Sequence, residues 1–350
     1  MSFTYAPGED ITHSPDEVLG NTVNCEGPMG KGVALAIKTR FPAIEAPFRA
    51  ACRSGKFAPG LIHVFKASDS QRVVSLATKD KWRDASRYEW VGSSLILLSL
   101  WLQHHKPESI ALPAPGCENG GLDWSVVHDM ARIYLQPAVD AGVQVRFLKA
   151  APDPRPAPFI FAGIGSRDTP DPVLDLMHDA GALLAHDGWT LRSGGAIGAD
   201  SAFERGVVSA PDHPRPEIYY HNQKELQKSG NRYGLLETRP VHERMVGIFH
   251  PAPHKLRGGG FDLMARNGCQ MFGPDFTQPS SCVICWTVGG QAKGGTGQAI
   301  RMANAVGIPV IDLGKPELQG MTAAEILTMA RSLRAARVAL REPDMATLTM

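Results

Sequence analysis

The chain has 350 residues, 43% of them apolar and 20% charged, and its 36 Lys and Arg against 35 Asp and Glu leave a net charge of +1. That length points to two compact units, and the composition excludes a disordered chain. The charge balance excludes a broad electrostatic footprint for duplex DNA or an anionic membrane, so any nucleic-acid contact has to be local.

In chain order, the first half alternates β-like runs (VVSLAT, SIALPA, QVRFLKA) with helix-like segments (MGKGVALAIKTRF, WVGSSLILLSLWLQHH, WSVVHDMARIYLQPAVDAG). Residues 150–158, AAPDPRPAP, hold four prolines and read as a semi-rigid linker. The second half repeats the alternation: FIFAGIG, a helix over PVLDLMHDAGALLAHDG, TLRSGG, a helix from Gly198, EIYYHN, an irregular stretch, a helix near FDLMARNGCQMF, CVICWTVGG, a helix over TGQAIRMANAVG, and PVIDLG. This order predicts α/β layers with largely parallel strands in both halves, with ligands at the carboxyl ends of the strands. The domains expected are 1–150, a linker at 151–158, and 159–350.

No charged-then-apolar leader opens the chain, and SSLILLSLWL at 93–102 falls short of the roughly 20 residues that cross a bilayer. A soluble cytoplasmic protein is expected. The six cysteines are scattered; Cys282 and Cys285, the close pair, lie in an apolar run that reads as a buried strand rather than a zinc or redox site. His221, His242, His250 and His254 share no metal-ligand spacing and read as scattered surface histidines. No metal or other cofactor is expected. Beyond residue 320, AAEILTMARSLRAARVAL reads as an amphipathic helix packed on a domain.

Chemistry concentrates in glycine-rich loops. Residues 21–42, NTVNCEGPMGKGVALAIKTRFP, place Asn21, Asn24, Gly27, Gly30 and Gly32 in a loop that opens into a helix. Such a loop either caps the helix or brings backbone N–H groups close to a diphosphate. LPAPGCENGGLDW at 112–124 repeats the device, and two such loops at strand ends could clamp one pyrophosphate. Between them lies LATKDKWRDAS, with Lys79 followed by Trp82, Arg83 and Arg87. That cluster suits a stacked base and a phosphate, or else a solvated loop with one packed Trp.

In this order the three segments resemble a macrodomain, the ADP-ribose-binding fold, over about residues 8–148. More narrowly they resemble the branch containing the DNA-directed DarG antitoxins, which remove ADP-ribose from thymidine in DNA, and the terminal ADP-ribose protein glycohydrolases. The resemblance implies that Asp10 holds the adenine amino group and Asn24 faces the distal ribose. It implies that Gly30 and Gly32 border the distal ribose and diphosphate, that Gly116, Cys117, Gly120 and Gly121 form the other phosphate wall, and that Lys79 is catalytic. A lysine there could attack the anomeric carbon or, charged, stabilise the departing base. The protein-directed enzymes carry a catalytic aspartate where this chain has Gly120, and glycine there agrees with the DNA-directed pattern. Glu118 and Asp123 stand nearby, and Asp123 also reads as a helix N-cap.

After the linker, FIFAGIGSRDTP, LRSGGAIGADSAFERG and VGGQAKGGTGQAIRMANAVG place three glycine turns between strand and helix, a pattern suited to a nucleotide or sugar phosphate. They resemble the SLOG superfamily, a Rossmann-like doubly wound fold that includes DprA, the LOG nucleotide hydrolases and nucleotide-sensing modules. SGGAIGAD with ARN at 265–267 is nearest DprA. Gln298 falls in the region where LOG enzymes carry a catalytic glutamate, which implies binding rather than hydrolysis by Gly165, Ser166, Arg167, Gly194, Gly195, Asp200, Gly295 and Thr296. Residues 221–262 read as a long irregular connection.

The expectation is an ADP-ribosyl hydrolase acting on a nucleobase in DNA, with a nucleotide-binding second domain. The alternatives are a non-catalytic sensor or sponge for ADP-ribose-like signals and a DprA-like single-strand DNA binder. Expected partners are ADP-ribose or ADP-ribosylated nucleic acid and a nucleotide for the second domain, with no membrane. The acceptor and the oligomeric state stay open, a homo-oligomer included.

Overall fold

The computed structural model describes residues 3–156 and 159–339. Residues 157 and 158 of the expected linker and 340–350 of the expected second domain lie outside the described residues. Two units form: one from the chain up to Arg155 together with Asp275–Thr277, the other from Pro156–Pro274 and Gln278–Ala339.

The first unit runs β1 (Phe3–Tyr5), β2 (Val18–Val23), α1 (Gly32–Arg40), α2 (Glu45–Arg53), β3 (Ile62–Lys66), β4 (Arg72–Ala77), α3 (Tyr88–His105), β5 (Ser109–Leu112), α4 (Trp124–Asp140) and β6 (Gln144–Phe147). Its sheet has the order β1-β6-β5-β2-β4-β3. All neighbours are parallel except β3, which runs against β4 as an edge. Leu19 and Val23 of β2 pair with Val73 and Ala77 of β4. All four point to one face, where they bury against Ile37 of α1 and Phe48 of α2, as the two-residue period of a strand requires. Apolar on nearly every side, α3 is buried along most of its length and packs with α4.

The sequence reading missed β1, β2, β3 and α2. Asn21, expected in a loop, lies in β2, because VLGNTV is buried at every position but Thr22 and pairs on both edges. Pairing on both sides outweighs the weak strand propensity of Gly and Asn.

The second unit runs β7 (Ile160–Gly163), α5 (Asp171–His186), β8 (Thr190–Ser193), α6 (Ala199–Ser209), β9 (Glu217–Tyr219), α7 (Gln223–Ser229), β10 (Gly234–Leu235), α8 (Pro240–Phe249), α9 (Gly259–Phe272), β11 (Cys282–Cys285), α10 (Gly294–Ala305), β12 (Val310–Asp312) and α11 (Ala323–Ala339). Every neighbouring pair in its sheet, β10-β9-β8-β7-β11-β12, is parallel. The core on one face gathers Met177 and Leu184 of α5, Phe203 of α6 and Ile326 of α11 against Phe161, Leu191 and Ile284. Helices α8, α9 and α10 pack on one another. Strand order reverses between β7 and β11, the place where open α/β sheets leave a crevice.

The stretch 221–262, expected to be irregular, contains α7, β10 and α8. His242, expected on the surface, is fully buried; its Nδ1 accepts from the Arg239 N–H and its Nε2 lies 3.1 Å from the Gly273 carbonyl oxygen. It holds α8 to the end of α9. Cys282 and Cys285 are buried thiols on β11, outside any disulfide, and no helix among the described residues is long and apolar enough to cross a membrane.

Candidate functional site

In the first unit the loops leaving β2, β4 and β5 meet around one cavity of about 700 Å³. The strand ends are held together first. Cys25 N–H donates to the Asp80 carbonyl at 2.9 Å, Thr78 N–H to the Val23 carbonyl at 3.1 Å, and Ser86 N–H to the Gly120 carbonyl at 3.0 Å. Glu26 accepts from the Trp82 N–H at 2.9 Å. The Lys79–Trp82 loop is thereby pinned between the two glycine loops that flank it.

Lys79 lines this cavity, and its Nζ donates to the Asn119 carbonyl at 2.5 Å. Partial burial pulls its pKa below the ordinary lysine range; Lys31, also in the cavity wall, pulls the same way while Asp84 opposes. Lys31 occupies the N-cap position of α1, and no side chain caps the helix's first N–H groups. Those groups and two cations meet in one cavity, an arrangement suited to an oxyanion.

Asn24, Gly30, Gly32, Trp82, Gly116, Cys117 and Gly120 also line the cavity, whereas Asp10, Asn21 and Gly121 do not. Exposed Asp10 accepts from the Thr12 N–H and caps a short 3-10 turn, Ile11–His13. Fully buried Asn21 donates to Ser75 Oγ at 3.2 Å beneath the site. Asn24 uses its amide on its own loop, with Nδ2 donating to the Pro28 carbonyl and Oδ1 accepting from the Glu26 and Gly27 N–H groups. Burial drives the Cys117 thiol up to about 12, so it stays protonated as a wall residue.

Gly120 leaves no room for a side chain: a Cβ would lie 2.2 Å from the Gly116 carbonyl oxygen and 2.3 Å from Ser86 Oγ. Neither neighbouring carboxylate substitutes for an aspartate at this position. Glu118 lines the cavity but is paired with Lys149 at 2.7 Å, and Asp123 accepts from the Ser125 N–H at 2.8 Å as the N-cap of α4. Trp82 is 55% exposed with the Arg83 guanidinium 4.6 Å over its ring, while Arg87 sits over Trp90 instead.

Lys31, Ser86 and Asn119 were missed by sequence reasoning. Lys31 stands between two loop glycines, Gly30 and Gly32, and that placement was a usable signal. Ser86 and Asn119 enter only through the contact between loops.

The second unit has a cleft of about 630 Å³ at the strand-order reversal, and all eight expected residues, Gly165, Ser166, Arg167, Gly194, Gly195, Asp200, Gly295 and Thr296, line it. At its floor Asp200 faces Arg266 of α9 at 3.8 Å, both buried, and Asp200 accepts from the Gly194 and Ala196 N–H groups. Burial raises the Asp200 pKa against the opposing pull of Arg266. The guanidinium lies so close to Gly194 that a Cβ there would sit 1.0 Å from Nη1. Arg266 Nε, and Nε2 of fully buried Gln298, have no hydrogen-bond partner. Helices α6 and α10 both start without a side-chain cap. Among the described residues no three His, Cys, Asp or Glu side chains form a metal-binding group.

The first unit is a macrodomain fold, and the second is an all-parallel sheet domain. Residues 20–131 match the family model of the Macro domain. The chain is similar to the DNA ADP-ribosyl glycohydrolase of Mycobacterium tuberculosis (strain ATCC 25618 / H37Rv), at 35% identity over 143 residues, 39% of this chain and 40% of that protein. It is also similar to the DNA ADP-ribosyl glycohydrolase of Thermus aquaticus (strain ATCC BAA-2747 / Y51MC23), at 36% identity over 151 residues, 42% and 41% of the two chains. The chain spans about two fifths of the length of these relatives. Among solved structures, the macrodomain of Mycobacterium tuberculosis DarG matches at 31% identity over 41% of this chain and 96% of that one, with a TM-score of 0.39.

Proposed function

We propose that the first unit binds ADP-ribose attached to a nucleobase in DNA and hydrolyses the bond between the anomeric carbon and the base. The observation that carries this reading is one cavity walled by both glycine loops, the uncapped start of α1 and Lys79. The relatives described as DNA ADP-ribosyl glycohydrolases support the same chemistry at the level of this domain.

In this reading the diphosphate lies against the α1 N-terminus and the Gly116–Gly120 loop, where N–H groups and Lys31 offset its charge. Lys79 stands at the anomeric carbon. Its contact with a carbonyl oxygen and its limited burial favour the ammonium form, which stabilises charge on the departing base. Gly120, with no space for a side chain, offers no carboxylate to act beside Lys79. The exposed Trp82 ring supplies a face for the base.

The second unit, in the same reading, is a SLOG-like nucleotide-binding domain that recruits or senses a nucleotide-containing partner. The unpartnered Nε of Arg266 in the cleft wall and two uncapped helix starts support an anionic ligand held without hydrolysis. They also support a second reading, in which the chain is a sensor or sponge for ADP-ribose-like signals.

The test is incubation with thymidine-, guanosine- and protein-linked ADP-ribose, measuring free ADP-ribose for the native protein and for Lys79→Ala. Release from a modified base that Lys79→Ala loses is the expected result. Tight ADP-ribose binding without turnover of any of the three substrates selects the sensor reading.

A further inference from the structure

The near-neutral chain hides a strong local imbalance. Residues 31–87 carry twelve Lys and Arg against four Asp and Glu, whereas residues 1–30 and 88–155 together carry five against twelve. The basic stretch holds α1, α2, β3, β4 and the Lys79–Trp82 loop, on the β3 side of the sheet.

Packing brings part of this charge to the cavity mouth. Arg49 of α2 lies against Gly27, whose Cβ position is 3.4 Å from Arg49 Cγ, and the neighbouring Glu26 holds the Trp82 N–H. Arg53 follows Arg49 by one helical turn and so shares its face. The turn after α2 carries Lys56 and ends at Gly60, whose N–H donates to the Ala77 carbonyl at the end of β4. Arg53, Lys56, Lys81 and Arg83 are exposed, and no carboxylate pairs with them among the described ion pairs. Lys66 and Arg72 belong to the same stretch but face each other across β3 and β4 at the opposite end of the strands, and are paired with Asp69 at 2.7 Å and Glu17 at 2.8 Å. Arg53, Lys56, Lys81 and Arg83 therefore lie toward the cavity end of the sheet, while Arg40, also without an ion pair among the described residues, stands over Phe41 at the far end of α1.

We propose that this ridge, from Lys81 and Arg83 past the Glu26–Gly27 loop to Arg53 and Lys56, binds the phosphate backbone of a single strand of DNA. The modified base would stack on Trp82, and the adjoining backbone would run along the ridge. The proposal rests on the reading that the acceptor is a nucleobase in a strand. A base that must enter a cavity has to leave its stack, and a single strand offers it at the smallest cost. Exposed cations beside an exposed aromatic ring are the combination that holds such a strand without reading its sequence.

The experiment measures fluorescence anisotropy of a labelled, unmodified single-stranded oligonucleotide with the full chain, across a salt series. The native protein is compared with Arg53→Glu/Lys56→Glu and with Lys66→Glu as the charge-reversal control. The double variant should bind at least about tenfold more weakly, with the slope of log affinity against log salt shallower by about 1.4, or ~0.7 for each of two lost phosphate contacts. Lys66→Glu should match the native protein, and both variants should keep native ADP-ribose affinity by calorimetry, which also shows that they are folded. Equal oligonucleotide affinity for native and double variant, or no salt-dependent binding by the native chain, overturns the ridge. Failure of the native protein to release ADP-ribose from any modified base overturns the catalytic reading instead, and leaves the anisotropy result to decide the ridge on its own.

Discussion

The two clefts share an architecture and differ in where they keep their charge. Both sit at the carboxyl ends of parallel strands, walled by glycine turns and uncapped helix starts. In the first, Lys79 lines an open wall and its Nζ donates to a backbone carbonyl. In the second, the central cation is buried on a carboxylate that is itself held by two backbone N–H groups. A lysine that reaches into solvent can meet a substrate and change protonation. A guanidinium locked over Asp200 can orient a ligand but offers no nucleophile or titrating proton.

Four measurements would break or sharpen that contrast. Removing the open cation should have the largest effect: Lys79→Ala should lower ADP-ribose release by about 10²–10⁴-fold, with ADP-ribose binding by calorimetry changed far less. If binding falls as much as turnover, Lys79 is a ligand-holding residue and the two clefts are alike. In the second unit the matching change acts on stability. Asp200→Ala leaves Arg266 buried without its partner and should cost about 3–5 kcal/mol in denaturant unfolding, while ADP-ribose release measured below the transition stays native.

Gly120→Ala should cost about 1–3 kcal/mol, because the new methyl meets the Gly116 carbonyl and Ser86 Oγ. It should also weaken ADP-ribose binding, which calorimetry would read. Native stability and affinity would remove the steric argument for glycine at this position. The smallest effect expected is a shift in pH dependence. An ammonium acting as Lys79 is proposed to act is present below its pKa and lost above it, so release should fall as pH rises, with a midpoint below the ordinary lysine value of about 10.4. Lys31→Gln removes a cation that depresses that pKa and should move the midpoint upward. A rate that rises with pH through the same midpoint would assign Lys79 the nucleophile's role.

How much was legible beforehand differs between the clefts in the same way. All eight residues expected in the second cleft line it, because each belongs to a strand-to-helix turn or to the first turn of the helix that follows, whose placement follows from local order. In the first, Lys79, Trp82 and most of the loop glycines reach the cavity, but Asp10, Asn21 and Gly121 do not. Asn21 was misread because a polar residue inside a strand carries no local sign of being buried. Its fate depends on β4, which supplies Ser75 beneath the cavity.

By itself the sequence determined the α/β alternation, the break near the proline-rich segment and the positions of the glycine turns, since periodicity, proline content and backbone freedom are properties of short stretches. It also singled out Lys79 as the residue to watch. Only the tertiary structure decided that Gly120 has no room for a side chain, that Glu118 is taken by Lys149 and Asp123 by the start of α4, and that Lys31 shares a wall with Lys79. Each of these turns on which loops touch across the sheet, and loop contact is fixed by strand order and register rather than by the loop's own residues.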